Sequence, residues 1–203
     1  GKALQTGMKI KDLQMSPEEE REIGTMVSEN IRQRYGVVQD KAVHRYVTLV
    51  GSALAASSEN TNLPWQFIVL DTDGVNAFAA PGGFVHITRG ALALIKDESE
   101  RAGVLAHELA HVTEQHTIKA IKKNNAKDLG LGLGPGGGMT KAVLTQLADR
   151  ASDMVMAGFG RGEELEADDH GVALANRVGY APAGLSAFLT RLRDRNQASA
   201  EKR

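Results

Sequence analysis

The chain has no cysteine, which excludes disulfides and every zinc site built on thiolates. Aromatic residues make up only 4% of its 203 residues, so the core is left to aliphatic and small side chains, a mix that favours packed helices. No run approaches the ~18 consecutive apolar residues of a membrane span. Formal net charge is -1, which gives no electrostatic footing for nucleic acid or an anionic membrane surface. The chain starts at Gly1 with no signal-peptide pattern, so the compartment has to be argued from elsewhere. The absence of cysteine fits a cell envelope.

What is present is an ordinary globular composition, 42% hydrophobic and 24% charged, long enough for one domain spanning 1–203. Ser16-Pro17 followed by three glutamates reads as a helix start, with Gly36 as its stop. A second helix is expected over 41–56, with Val43, Tyr46, Val47, Val50 and Leu54 on one face. The texture then changes. Residues 65–70, 75–80 and 84–88 read as short strands, separated by turns at 71–74 and at Pro81-Gly82-Gly83. Three strands without a long crossover suggest a small antiparallel or mixed sheet. A helical turn over 90–95 precedes a long helix from Asp97 to about Asn124, and further helices are expected at 141–158, 162–178 and 183–195. The order helices, strands, helices makes an α+β domain.

The long helix carries "VLAHELAHVTEQH", residues 104–116. His107-Glu108-x-x-His111 places two imidazoles one turn apart on one helix face, where both can point at a single ion. Glu108 lies beside the position of a zinc-bound water and can take its proton, since zinc lowers the pKa of that water to about 7. The apolar frame of Val104, Leu105, Ala106, Leu109, Ala110 and Val112 makes this a largely buried helix, in which histidine and glutamate need partners.

Two histidines require a third ligand. His116 follows His111 too closely for the metzincin spacing, and Glu114 stands where that pattern needs its turning glycine. On a continuous helix His116 points about 140° away from His111, so it cannot complete the site; it reads as a residue behind the ligands, on the substrate side or, by preference, simply exposed. The stronger candidate lies in "GRGEELEADDHGVALA", residues 160–175. Glu164 and Asp168 are one turn apart, next to the core-like stripe of Ala167, Val172 and Ala175. Glu164 can bind the metal while Asp168 supports a ligand imidazole. Glu163, Glu166 and Asp169 point elsewhere on the helical wheel and are expected to be solvated. Two histidines, one glutamate and a water form a catalytic rather than a structural zinc arrangement.

With these residues in place, "HELAHVTEQH", "NAFAAPGGFVHITRGAL" and "RGEELEADDHGVALANRVGYAP" resemble the gluzincin metallopeptidases related to HtpX, BepA and the type I CAAX prenyl proteases, over about residues 65–190. The resemblance implies a zincin-like fold, mostly helical with a three- to four-stranded sheet, and one zinc ion held by His107, His111 and Glu164. Glu108 is then the base. Asp168 matches an aspartate sometimes given a proton-donor role, though an orienting role is preferred. Asn76, Ala77, Phe78 and Ala79 match the edge strand to which an extended peptide substrate pairs, a way of holding a backbone without reading its sequence.

Unlike HtpX and the prenyl proteases, the chain has no transmembrane helix. It therefore resembles the envelope-type branch, as an isolated catalytic domain without the helical repeats that often follow. The implied function is a zinc endopeptidase acting on protein or peptide substrates, with periplasmic protein quality control as its setting. The alternative is a zinc-bound chaperone-like module with little or no proteolysis, against which the intact Glu108 argues. A formal G-x-G-x-x-G match at Gly132, Gly134 and Gly137 lacks a preceding strand and reads as a loop or lid rather than a phosphate site. His44, His86 and His170 read as structural, and Arg161 as one half of a salt bridge.

Overall fold

The computed structural model describes residues 15–129 and 138–200; the glycine-rich match at 132–137 lies outside them. The first helix, α1 (Pro17–Tyr35), opens on a complete capping box. The Ser16 hydroxyl accepts from the Glu19 N–H, and the Glu19 carboxylate accepts from the Ser16 N–H. Asp40 caps α2 (Lys41–Ala56) by accepting from two backbone N–H groups.

Three strands follow: β1 (Gln66–Leu70), β2 (Ala77–Ala80) and β3 (Phe84–Thr88). The sheet order is β1-β3-β2, with β1 parallel to β3 and β2 antiparallel to it. The expected mixed sheet is thus formed, and β2 is an edge strand. The β2–β3 turn passes through Gly82 and Gly83, both at positive φ, where glycine carries no steric penalty. Among the described residues the sheet has three strands, the lower of the expected counts.

Both sheet faces are covered. Val69, Val85 and Ile87 face a core shared with α2, α4 (Glu98–Thr113) and α8 (Gly184–Ala200), which contains Leu54, Leu105, Leu109 and Phe188. Leu70, Phe78 and Phe84 face a second core shared with α1, α5 (His116–Leu129) and α6 (Lys141–Ala157), which contains Ile23, Ile31, Ile121 and Leu147. Alternate residues of each strand go to opposite faces. His86 lies wholly buried in β3, bonded to the Ser28 hydroxyl and the Phe78 carbonyl. Burial holds it down at about 4, hence neutral, and its role is structural. The short helix α3 (Arg89–Leu94) links the sheet to α4.

Helix α7 (Arg161–Val178) packs directly on α4. The approach is close enough that a Cβ on Gly171 would meet the His107 backbone at 2.8 Å. Only glycine allows this spacing. Helix α8 is tied to α4 by Arg191, whose guanidinium grips buried Glu100 at 2.5 and 2.7 Å. Among the described residues no helix is long and apolar enough to cross a membrane.

One expected element is corrected. The helix over 97–124 is two helices, broken at Glu114 and Gln115, with Gln115 at φ 56. A chain that enters the left-handed region cannot continue a right-handed helix. Because α5 restarts in a new direction at His116, the helical-wheel projection that placed this residue outward does not hold.

Candidate metal centre

Helix α4 supplies His107, Glu108 and His111, and α7 supplies Glu164 and Asp168. The close α4–α7 contact brings the two sets together. His107 Nε2 lies 3.0 Å from His111 Nε2 and 3.4 Å from Glu164 Oε2, and His111 Nε2 lies 3.8 Å from Glu164 Oε1. These three residues form one group whose ligand atoms lie within 4.8 Å of one another. Tetrahedral zinc with bonds of about 2.0–2.1 Å spaces its donors roughly 3.3 Å apart. The observed edges bracket that value, so the donor set fits zinc.

Electrostatics agree with the geometry. Burial, then the neighbouring His107, pulls His111 down to about 3, which leaves its imidazole neutral. Burial also pulls on His107, but the Glu164 contact and the charges of Glu108, Glu164 and Asp168 outweigh it and raise His107 above its ordinary value. The His107 contact holds the Glu164 carboxyl below its usual range against partial burial. The cluster therefore attracts one positive charge, which a metal ion can supply in place of a proton. The Glu164 carboxylate also accepts from the Phe159 N–H at 3.3 Å, which helps fix its direction. The Phe159 ring stacks on His111 at 4.5 Å between centroids.

Glu108 is buried beside this group, and burial pushes its carboxyl up to about 7. A carboxyl near neutrality is suited to exchanging protons at physiological pH. Asp168 Oδ1 lies 2.9 Å from His107 Nδ1, the ring nitrogen away from the cluster, although out of line for a straight hydrogen bond. That position suits orienting the imidazole.

A cleft of about 340 Å³ opens onto the cluster. One wall is the segment Asn76, Ala77, Phe78 and Ala79 at the sheet edge, and the end of α6 through Phe159 lines another part. An apolar stretch of α8, Leu185, Phe188, Leu189 and Leu192, completes it. The α8 residues recur at helical spacing and read from sequence as ordinary core; only their position over the cleft gives them another use. Their neighbour Asn76 is anchored, since its carbonyl accepts from the Thr88 N–H and its side-chain oxygen from the Ala77 N–H.

Three outer residues depart from expectation. His116 is buried, not exposed. Its Nδ1 meets His111 Nδ1 at 2.8 Å, and its Nε2 meets the Glu166 carboxylate at 2.9 Å. Glu166 is accordingly partnered rather than simply solvated. It stands off the inward stripe of α7, but the break before α5 turns His116 toward it and the two side chains meet. His170 pairs with Glu114 at 2.7 Å. Arg161 is exposed and makes no ion pair with a described residue, so the expected salt bridge is not formed there.

Comparison with known proteins agrees with this arrangement. The model of peptidase family M48 matches residues 41–199. The beta-barrel assembly-enhancing protease of Yersinia pestis is 28% identical over 197 residues, covering 90% of this chain and 39% of that protein. The mitochondrial metalloendopeptidase OMA1 of Arabidopsis thaliana is 29% identical over 178 residues, covering 87% of this chain and 34% of that protein. The metalloprotease YcaL of Escherichia coli is 30% identical over 135 residues, covering 66% of this chain and 53% of that protein. The chain spans well under half the length of the assembly-enhancing proteases it matches.

Proposed function

This chain belongs to peptidase family M48, and from that premise we propose that it is a zinc-dependent endopeptidase domain that cleaves extended segments of protein substrates. The observation that carries the reading is the convergence of His107, His111 and Glu164 from two helices on a cleft that also contains a buried carboxyl raised to about 7. A purely structural zinc site has no use for that carboxyl or for an open cleft. The name of the beta-barrel assembly-enhancing proteases among the relatives supports proteins met during beta-barrel assembly as substrates, and the periplasmic setting rests on the resemblance to the envelope-type branch.

In this reading His107, His111 and Glu164 hold the zinc, and Asp168 keeps the His107 ring turned toward it. Bound zinc supplies a Lewis acid and an acidified water. Glu108 accepts a proton from the attacking water on its carboxylate and returns it to the leaving amine nitrogen. The outer edge of β2, at Asn76, Ala77, Phe78 and Ala79, pairs with the substrate backbone as an added strand, which aligns the scissile carbonyl without demanding a particular sequence. Water is kept from the inner side of the site by the apolar packing of Val104 and Phe159.

Cleavage of casein by the purified chain, with and without a chelator, tests the proposal. Chelation abolishes cleavage and zinc restores it, while Glu108→Gln retains zinc and does not cleave. Full activity in Glu108→Gln, or in chelated wild type, would sink the assignment. Client binding without cleavage in zinc-loaded wild type would favour a chaperone-like module instead.

A further inference from the structure

The contact between His111 and His116 has one proton arrangement in which His111 can bind a metal through Nε2, and the Glu166 carboxylate favours it. Glu166 Oε2 lies 2.9 Å from His116 Nε2. A carboxylate only accepts, so this nitrogen carries the proton. With the His116 proton on Nε2, Nδ1 of that ring can accept, so His111 can donate to it from Nδ1 over 2.8 Å. Its remaining nitrogen, Nε2, is left with a lone pair facing His107 and Glu164, as a metal ligand requires. On the other imidazole, Asp168 faces Nδ1 of His107. Each of the two histidines thus has its outer nitrogen directed to a partner that ends in a carboxylate of α7.

We propose that His116 and Glu166 are positioning residues which, through a hydrogen-bonded relay, lock His111 in the tautomer and ring orientation that binds the metal. The inference rests on the zinc reading above and deepens it. A buried imidazole is costly unless both nitrogens are partnered, and here both are. The chain also leaves the favoured backbone region at Gln115, φ 56, immediately before His116. That turn is what brings the residue inward. The Phe159 ring stands against both His111 and His116, at 4.5 and 5.7 Å between centroids, so neither ring is free to flip within the packed group.

If Glu166 only docked α5 onto α7, its loss would alter stability and leave metal affinity unchanged. The test is therefore zinc affinity, measured by competition with a chromophoric chelator on the full chain, for wild type, Glu166→Ala, Glu166→Gln and Glu163→Ala. Glu166 is half-exposed, so its variants fold. Glu166→Ala binds zinc about 10- to 100-fold more weakly, the usual effect of losing such an outer partner. Glu166→Gln loses less, because its amide oxygen still accepts from His116. Glu163→Ala, which removes the same charge from the same helix, keeps wild-type affinity. In zinc-loaded wild type, nitrogen NMR finds the imidazole protons of His111 on Nδ1 and of His116 on Nε2. The relay is overturned if Glu166→Ala binds zinc as tightly as wild type, if Glu163→Ala weakens binding equally, or if His116 carries its proton on Nδ1 alone. Wild type that takes up no zinc at all would instead overturn the metal reading itself.

Discussion

Glu108 gives a quantitative handle on the site that does not depend on catalysis. In the metal-free protein its carboxyl is buried and raised from 4.5 to about 7. A carboxyl whose folded value is raised favours the folded state most when protonated. Its contribution is fully present below pH 4.5, is lost progressively as pH rises, and is gone above about pH 7. At about 1.4 kcal/mol per pH unit, the interval corresponds to roughly 3 kcal/mol. Glu108→Gln keeps the shape and removes the titration. The assay is urea unfolding of both proteins in chelator from pH 4.5 to 8. The prediction is that the stability of Glu108→Gln relative to wild type rises by roughly 3 kcal/mol across that range. Groups remote from Glu108 titrate alike in both proteins and cancel in the difference; His107, which the Glu108 charge helps to raise, shifts with the substitution and is followed separately by histidine NMR. A flat difference would mean that Glu108 ionises without penalty, and the argument that burial poises it near neutrality would fail.

Two further outcomes follow from packing. Gly171→Ala places a Cβ 2.8 Å from the His107 backbone, so it destabilises by about 1–3 kcal/mol and weakens zinc binding by pushing α7 away from α4; denaturation and zinc competition read the two effects, and unchanged values in both would refute the close approach as the determinant. Arg191→Ala leaves the buried Glu100 carboxylate without its guanidinium and lowers stability by about 2–3 kcal/mol. It leaves zinc stoichiometry unchanged, because α8 rather than the metal group loses its tie.

The parts of the fold readable from sequence are those governed by local chemistry. The Ser16-Pro17 start, the strands over 66–70 and 84–88, and the glycine-bearing turn between β2 and β3 depend on neighbours in the chain, and the structure has them there. Glu164 could be singled out because a one-turn pairing with Asp168 is visible in the spacing, and the structure places both beside His107. The break before His116 was not readable. Gln115 is neither glycine nor asparagine, so nothing local announces a positive φ, and a wheel drawn through an unbroken helix put His116 outside. The same projection set Glu166 in solvent, because it could not anticipate that the break would turn His116 toward that side chain. The apolar face of α8 was visible as a stripe, but which stripe borders a cleft is decided by tertiary packing, through the Arg191–Glu100 tie and the contact on α4.

The central claim is that His107, His111 and Glu164 hold one zinc ion. Elemental analysis of purified wild type and Glu164→Ala, dialysed against the same trace of zinc, addresses it most directly. The account predicts one zinc per wild-type chain and little or none in Glu164→Ala, with circular dichroism showing both folded. Equal zinc in the two proteins would contradict it and would remove Glu164 from the metal site.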